Sequence, residues 1–362
     1  MDSTIWTPGA WPARGLGPRE GVRPGVRWPS HRDPGGLDGP TAWATRSGAW
    51  RKAGHNLWVP VDVDPADPDQ RVVEAAAQLP AYGGVSGWAS LSWLGGTWFD
   101  GVGRDGELLP VPVAVSSGNR RRPAPGLVVS QEVVALHHLM RVDGVRVAVP
   151  LWAVGHMMRM ASSDEAAVVA FDMAAFNDLV SIAELRQFVD TDLVARRGVE
   201  RVRRVLPLLD ENSWSPMEPV MRLSWREVEP VSLLMNRPVF DRQGRFVGTP
   251  DVIDPQAGVY GMYDGGLHLA GAVRQVDVVK EAAYRQVGLE GVTMMAGDLV
   301  DRAPFQLRLR EAYARAARHP GSSRVFSLQT PPWWLDTTTV AARRALSPYD
   351  RARLLAHRQR AA

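Results

Sequence analysis

Short runs of apolar residues with polar flanks predict strands in the first half of the chain. They cover residues 57–61, 111–115 and 127–130. Apolar residues at helical spacing predict helices around these strands. The helices cover residues 70–79, 85–94, 153–160, 165–177 and 182–189. The first half is therefore predicted to mix short strands with short helices.

The second half shows a more regular succession of patterns. Ser215, Pro216 and Glu218 have the order of a helix start, with Ser as N-cap, Pro in the first helical position and Glu in the third. The elements that follow are strands at 238–240, 245–247 and 258–264, a helix at 273–287, a strand at 292–295 and a helix at 299–318. The whole chain is predicted to be α/β, with an α+β multi-domain organisation.

Composition divides the chain into four regions. Residues 1–40 are rich in Gly, Pro and Arg, which predicts a disordered arm; an over-long start of the reading frame is the alternative. Residues 41–205 and 206–320 are predicted to be two folded regions. Residues 321–362 hold a Pro/Trp segment and a basic tail.

The charge of the chain favours nucleic acid as a partner only modestly. The formal net charge is +3 over 362 residues, and the sequence pI is near 9.5. Arginines cluster at 196–204 and 343–360, where they form either solvated helix faces or surfaces that contact phosphates. Cys is absent, which excludes disulfides and thiolate metal sites.

The hydropathy pattern bears on the compartment. Residues 1–40 lack the apolar run of a signal peptide, and no uninterrupted apolar stretch is long enough to span a bilayer. The sequence therefore predicts a cytoplasmic protein with no membrane partner.

Acidic residues on the predicted strands supply candidate chemistry. Side chains alternate between the two faces of a strand, so positions 262 and 264 share one face. Asp251 on the neighbouring strand is expected to point into the same pocket as Asp264. Carboxylate oxygens are the ligands of Mg²⁺, which would orient water and stabilise charge on a phosphate. Asp251 and Asp264 are therefore the candidate metal ligands.

An ordered set of motifs spans about a hundred residues of the second half. The set comprises Ser215-Pro216-x-Glu218, Arg222, Asn236-x-Pro238-Val239, Gly248-x-Pro250-Asp251, Gly261-x-Tyr263-Asp264-Gly265-x-x-His268, Asp277 and Gly288-Leu289-Glu290. This region resembles the very-short-patch-repair-like endonuclease domain of many actinobacterial proteins. The resemblance implies a PD-(D/E)XK nuclease-like αβββαβα core that uses Mg²⁺ on DNA. It assigns catalytic roles to Glu218, Asp251, Asp264 and His268.

Weaker motifs extend the likeness to the whole chain. They are Trp58-Val59-Pro60, Gln70-Arg71, Ala75-Ala76, Val85-Ser86-Gly87-Trp88-Ala89, Leu94-Gly95-Gly96 and Phe171-Asp172-Met173. The chain resembles AbiEi-type antitoxins of type IV toxin–antitoxin systems, in which a winged-helix-like region precedes the nuclease-like domain. Residues 1–50 depart from the helix-turn-helix pattern, so that region is expected to be degenerate. The resemblance implies DNA and a cognate toxin protein as partners.

The nuclease motif departs from its family at one position. The family reads Glu-Tyr-Asp-Gly where this chain reads Met262-Tyr263-Asp264-Gly265. A thioether is a poor ligand for Mg²⁺, so activity is expected to be lost or strongly reduced. Three hypotheses follow: a DNA-associated antitoxin-like or defence-related protein with a degenerate nuclease domain, an active Mg²⁺-dependent endonuclease with a variant site, or a non-catalytic module that binds a toxin.

Each candidate residue also has a purely structural interpretation. Glu218 could complete a capping box with Ser215. Asp251 could cap the loop at residues 256–257, Asp264 could be an ordinary turn residue, and His268 could be a surface histidine. His137 and His138 are adjacent, and adjacent side chains of a helix or strand are expected to point apart, which argues against a metal site there.

Overall fold

The computed structural model describes residues 23, 25–80, 82–103, 105–115, 124–265, 271–319, 321–356 and 358, with the backbone alone for 271–278 and 322. The chain has two compact units. The first comprises Met1–Ala161 and Ala183–Arg203, and the second comprises Ser162–Ile182 and Arg204–Ala362. Residues 162–182, which lie within the predicted region 41–205, belong to the second unit. No helix in the described part is long and apolar enough to cross a bilayer.

Short strands and helices alternate up to residue 205, as the patterns predicted. The elements are β1 Trp50–Gly54, β2 Leu57–Pro60, α1 Pro68–Ala76, β3 Gly84–Val85, α2 Gly87–Trp93, β4 Val111–Ala114, β5 Leu127–Ser130, β6 Leu139–Val142, β7 Val145–Ala148, α3 Pro150–Met160, α4 Asp164–Phe176, α5 Ile182–Thr191 and α6 Val199–Val205. Strands β3 to β7 form one mixed sheet in the order β5-β4-β3-β7-β6, and β1 and β2 form a two-stranded sheet.

The segment that the sequence predicts to be a disordered arm is anchored from residue 23 on. Arg23 is buried, and its guanidinium forms ion pairs with Asp69 at 3.1 Å and Asp143 at 2.9 Å. Ser30 pairs with Trp58 as an antiparallel bridge. A buried guanidinium requires partners that compensate its lost hydration, and Asp69 and Asp143 provide them. The described part of the arm is therefore packed within the first unit. Residues 1–22 lie outside the described residues.

The second unit is built on a four-stranded mixed sheet. From residue 206 the elements are α7 Met217–Val228, β8 Leu234–Met235, β9 Val239–Phe240, β10 Phe246–Gly248, β11 Val252–Asp254, β12 Val259–Asp264, α8 Gly271–Gln286, β13 Glu290–Met295, α9 Ala303–Arg318, α10 Val340–Arg344 and α11 Pro348–Leu354. The sheet has the order β13-β12-β11-β8, and only β12 and β13 run parallel.

Apolar side chains cover both faces of this sheet. Val252 and Val259 belong to a core shared with α7 and α9, in which Trp225 and Phe305 are fully buried. Tyr260 belongs to a second core, which includes Tyr284 of α8. The alternation of faces along β12 explains this division, because odd-numbered residues point to one layer and even-numbered residues to the other.

The pairing of the strands differs from the sequence prediction. The predicted strands at 238–240 and 245–247 exist, but β9 and β10 form a separate two-stranded sheet. The strand beside β12 is β11, and β8 completes the sheet. Two- and three-residue strands such as β8 and β11 carry no measurable periodicity, so only their hydrogen-bonded partners reveal them.

Arginines of the predicted basic tail are used inside the second unit. Arg343 is fully buried, and its Nε donates to Asp178 at 2.6 Å. Its other nitrogens donate to the carbonyl oxygens of Thr337, Ala175 and Glu211. Arg351 also contacts Asp178. These arginines therefore attach the C-terminal segment to the end of α4 and are not available to bind phosphate.

We expect Arg343→Ala to lower the free energy of unfolding by about 3–5 kcal/mol, because it leaves a buried carboxylate and two or more carbonyl groups without this partner. Urea denaturation would measure the loss. Arg353→Ala is the matched control, since Arg353 pairs with Asp350 at 3.2 Å on the surface. That control should change stability by less than about 1 kcal/mol. Equal losses in both variants would contradict a buried anchor.

Candidate functional site

Glu218 lies in the first turn of α7 and is buried. Its Oε2 accepts hydrogen bonds from the backbone N–H of Trp214 at 2.7 Å and from Nδ2 of Asn236 at 2.6 Å. The helix begins at Met217, and Pro216 is its N-cap, so the predicted capping geometry with Ser215 as N-cap is wrong. Glu218 still reaches back over the helix start, and it also binds a neighbouring strand end.

Asp251 directly precedes β11. Its Oδ2 accepts from the backbone N–H of Tyr263 on β12 at 2.7 Å. The structural alternative for Asp251, a cap for the loop at 256–257, belongs instead to Asp254, whose Oδ1 accepts from Gln256 and Ala257. Asp251 is therefore directed across to β12 and is not used in the turn.

Met262 is the neighbour of Asp251 on the adjacent strand. Val252 pairs with Gly261 in antiparallel register, so the next pair along the two strands is Asp251 and Met262. Met262 is half-buried and packs against the core that contains Tyr260. Asp264 is exposed at the end of β12. His268 lies outside the described residues, so its predicted role stays a prediction.

The electrostatic environment joins Glu218 and Asp251 into one site. Burial raises the pKa of Glu218 well above its usual range, and the charge of Asp251 raises it further. Burial also raises the pKa of Asp251 to about 6, although the Tyr263 N–H and the charge of Lys280 act in the opposite direction. Two desolvated carboxylates that repel each other are a common property of functional sites.

A chain of buried amide contacts supports Glu218 from behind. Asn236 donates to Glu218 and to the carbonyl oxygen of Asn212 at 2.7 Å, and its backbone is in the left-handed region with φ of 46°. Asn212 in turn donates to the carbonyl oxygen of Met235 and accepts from Arg358 at 3.3 Å. A left-handed Asn that is held by its surroundings fixes the direction of its side chain.

Arg358 links the end of the chain to this network. It is buried, it donates to the carbonyl oxygen of Phe176 at 2.8 Å, and burial lowers its pKa to about 9. The charge of Glu218 acts in the opposite direction on that pKa. The C-terminal arginine therefore lies within electrostatic reach of the candidate site.

Sequence reasoning missed Lys280, Asn236 and Arg358 as parts of the site. Lys280 is exposed, and its charge acts on Asp251. The available signal was the spacing of four residues between Lys280 and the buried Tyr284 on α8, because residues four apart lie on the same face of a helix. Arg358 carried no local signal at all.

The donor set does not fit a complete Mg²⁺ site. Mg²⁺ demands near-octahedral oxygen coordination, but one oxygen each of Glu218 and Asp251 already accepts N–H donors, and Met262 offers only sulfur. Among the described His and acidic residues, these carboxylates do not form a group of three that could hold a metal ion. The site as it stands can bind a positive or hydrogen-bonding group, or a partly coordinated cation.

Comparison with models of protein families, with curated proteins and with solved structures found no match to this chain. The geometry of the site is therefore the basis for any functional assignment. The mixed α/β class is established by the structure.

The raised pKa of Asp251 predicts a pH dependence of stability. A carboxyl group whose pKa rises from 3.8 unfolded to about 6 folded binds more protons in the folded state between these values. The free energy of unfolding should therefore fall as pH rises through this window. Asp251→Asn removes this titration. At about pH 7 the variant should therefore be more stable than the wild type, and the difference in the free energy of unfolding should shrink by up to about 3 kcal/mol when the pH is lowered to about 4.

Urea denaturation of both proteins across this pH range measures the difference. Asp241→Asn is the control with opposite sign. Asp241 is half-buried, and hydrogen bonds from Arg245 lower its pKa, so the stability of the wild type relative to this variant should rise with pH. A pH-independent difference between wild type and Asp251→Asn would show that Asp251 titrates normally.

Proposed function

We propose that the chain is a DNA-associated, antitoxin-like or defence-related protein whose second unit is a degenerate PD-(D/E)XK nuclease-like domain. One observation carries the proposal. The carboxylates of Glu218 and Asp251 act electrostatically on each other beside the start of β11, and the strand position beside Asp251 holds Met262. The arrangement supports a metal site from which one carboxylate is missing.

The order of elements supports the nuclease-like part of the proposal. Apart from the β9–β10 hairpin, the unit runs α7, β8, β11, β12, α8, β13, α9, and these strands form one sheet. That order is helix, three strands, helix, strand, helix, which matches the core that the sequence motifs imply. The hairpin is an insertion between β8 and β11.

DNA association rests on a smaller set of charges than the sequence suggested. Arg203 pairs with Glu200, Arg204 pairs with Asp164, and Arg343 is buried, so much of the two basic clusters is neutralised. The positive charge of Lys280 lowers the pKa of Asp251, and the Lys280 side chain is exposed. A phosphate that approached Asp251 would be held by this ammonium group.

A weakly active Mg²⁺-dependent endonuclease is the second candidate. The raised pKa values of Glu218 and Asp251 favour it, because a bound cation would relieve the repulsion between the two carboxylates. In that case Asp251 and Asp264 would be the metal ligands, with the thioether of Met262 taking no part.

We expect Met262→Glu to create Mg²⁺- or Mn²⁺-dependent DNA cleavage, because it adds a third carboxylate beside Asp251. The measurement is cleavage of supercoiled plasmid and of short duplexes by the wild type and the variant, together with calorimetric titration of each metal. Met262→Gln is the matched control, since it has nearly the same size but no charge. The double variant Met262→Glu, Asp251→Ala should be inert.

The outcomes separate the candidates. Cleavage by Met262→Glu alone supports a degenerate site. Cleavage by the wild type, abolished by Asp251→Ala, supports the second candidate. If Met262→Glu neither cuts nor binds metal more tightly than Met262→Gln while remaining folded, the nuclease-like assignment loses its support.

We also expect Lys280→Ala to weaken binding of duplex DNA at every sequence, and to reduce the slope of log K against log salt concentration by about 1. Fluorescence anisotropy at several salt concentrations would measure both quantities. Lys52→Ala is the matched control, because Lys52 and Lys280 are the two lysines of the chain and both are exposed. An equal effect of the two substitutions, or none from either, would contradict DNA contact at the candidate site.

A further inference from the structure

A second group of ligand-type side chains lies in the first unit. His137 and His138 end a short 3₁₀ turn, Leu136–His138, and Asp192 follows α5. The Nε2 atoms of His137 and His138 lie 3.8 Å and 2.8 Å from Oδ1 of Asp192. One ligand atom from each residue lies within 4.8 Å of the other two. The expectation that these adjacent histidines point apart is wrong. It applied to neighbours within a regular helix or strand, and the two histidines instead end a short 3₁₀ turn just before β6.

The two imidazole rings converge on one carboxylate oxygen. Their centroids are 4.1 Å apart with an edge-to-face orientation. Asp192 is itself oriented, since the hydroxyl of Thr191 donates to its Oδ2 at 2.5 Å and leaves Oδ1 to the histidines. A hydrogen bond on the far oxygen is the support that ligating carboxylates ordinarily have.

The surroundings keep His138 in a fixed position. Its ring stacks on Trp152 at 4.8 Å and meets the edge of Phe188 at 5.5 Å. No described residue hydrogen-bonds its Nδ1, so packing rather than a second hydrogen bond holds the ring.

The geometry points to a binding site for a divalent transition metal ion of the Zn²⁺ class, formed by His137, His138 and Asp192. Imidazole nitrogen with one carboxylate oxygen suits Zn²⁺, Co²⁺ or Ni²⁺ better than Mg²⁺ or Ca²⁺. Ligand atoms of a tetrahedral ion with bonds of about 2.0–2.1 Å lie about 3.3–3.4 Å apart. The 3.8 Å separation of His137 from Asp192 would therefore close and the 2.8 Å separation of His138 from Asp192 would open as the ion binds. The side chain of His137 is 73% exposed, which gives the ion a path to the site.

Three protein ligands leave the fourth position of a tetrahedral ion to water or to an exogenous ligand. The site also joins the start of β6 to the end of α5, so a bound ion would tie two elements of the first unit together. The charge of Arg196 acts on His138, and its guanidinium lies 4.9 Å from the Trp152 ring. Its charge opposes the cation, while the charge of Asp192 favours it.

Titration of the full-length, untagged, chelator-treated protein with Co²⁺ at neutral pH tests the site, because Co²⁺ reports its coordination by visible absorption. We expect one equivalent to bind with a four-coordinate spectrum and to be displaced by Zn²⁺. Since the chain has no Cys, thiolate absorption cannot contribute. His137→Ala and Asp192→Asn should each weaken binding by more than about tenfold. Zn²⁺ should raise the melting temperature of the wild type but not of these variants.

His319→Ala is the matched control, because His319 is half exposed and pairs with Glu290 at 3.2 Å without a second histidine. It should bind Co²⁺ like the wild type. His137 is largely exposed, so its loss should leave the circular dichroism unchanged. Absence of tight Co²⁺ binding in the wild type, unchanged binding in His137→Ala, or equal weakening in His319→Ala would each overturn the assignment.

Discussion

Charged side chains that are buried in the second unit impose the constraint on which its other features depend. Each loses its hydration, so each needs a partner within hydrogen-bond distance. Asp172 is fully buried and accepts from Arg222 and Ser213, and Asp178 accepts from Arg343. These pairs fix α4 against α7 and against the C-terminal segment. Pairs of this kind add little net stability relative to apolar packing, but they tolerate few alternative arrangements.

The candidate site is the place where this compensation is incomplete. Glu218 and Asp251 each accept backbone or amide donors, but they repel each other, and no buried guanidinium or ammonium group is paired with either among the described contacts. A cation would be the natural compensating group, and a nuclease-like core would supply a further carboxylate at position 262. The pKa values of the two acids are raised instead, so each holds its proton to a higher pH than an exposed carboxyl group does.

The same constraint changes what the basic residues imply about partners. Arginine clusters in the sequence suggest a surface for phosphate, yet several of these guanidinium groups satisfy internal carbonyl and carboxylate groups. Arg201 contacts the carbonyl oxygen of Ala161, and Arg358 contacts that of Phe176. An arginine that is used as a structural cross-link contributes to the pI but not to the surface potential, so composition alone overstates the basic surface.

The sequence by itself determined the local elements, because helical spacing and strand alternation depend on near neighbours. It predicted α1 to α5, the β9–β10 hairpin, and β12 with Asp251 close by. It did not determine that β11 and β8, rather than the hairpin, flank β12, or that Asp254 takes the turn role considered for Asp251. Nor could it bring Arg358 towards Glu218, or Asp192 to the paired histidines. Those contacts join residues that are tens to more than a hundred positions apart, and only the packing of the folded chain decides which of them meet.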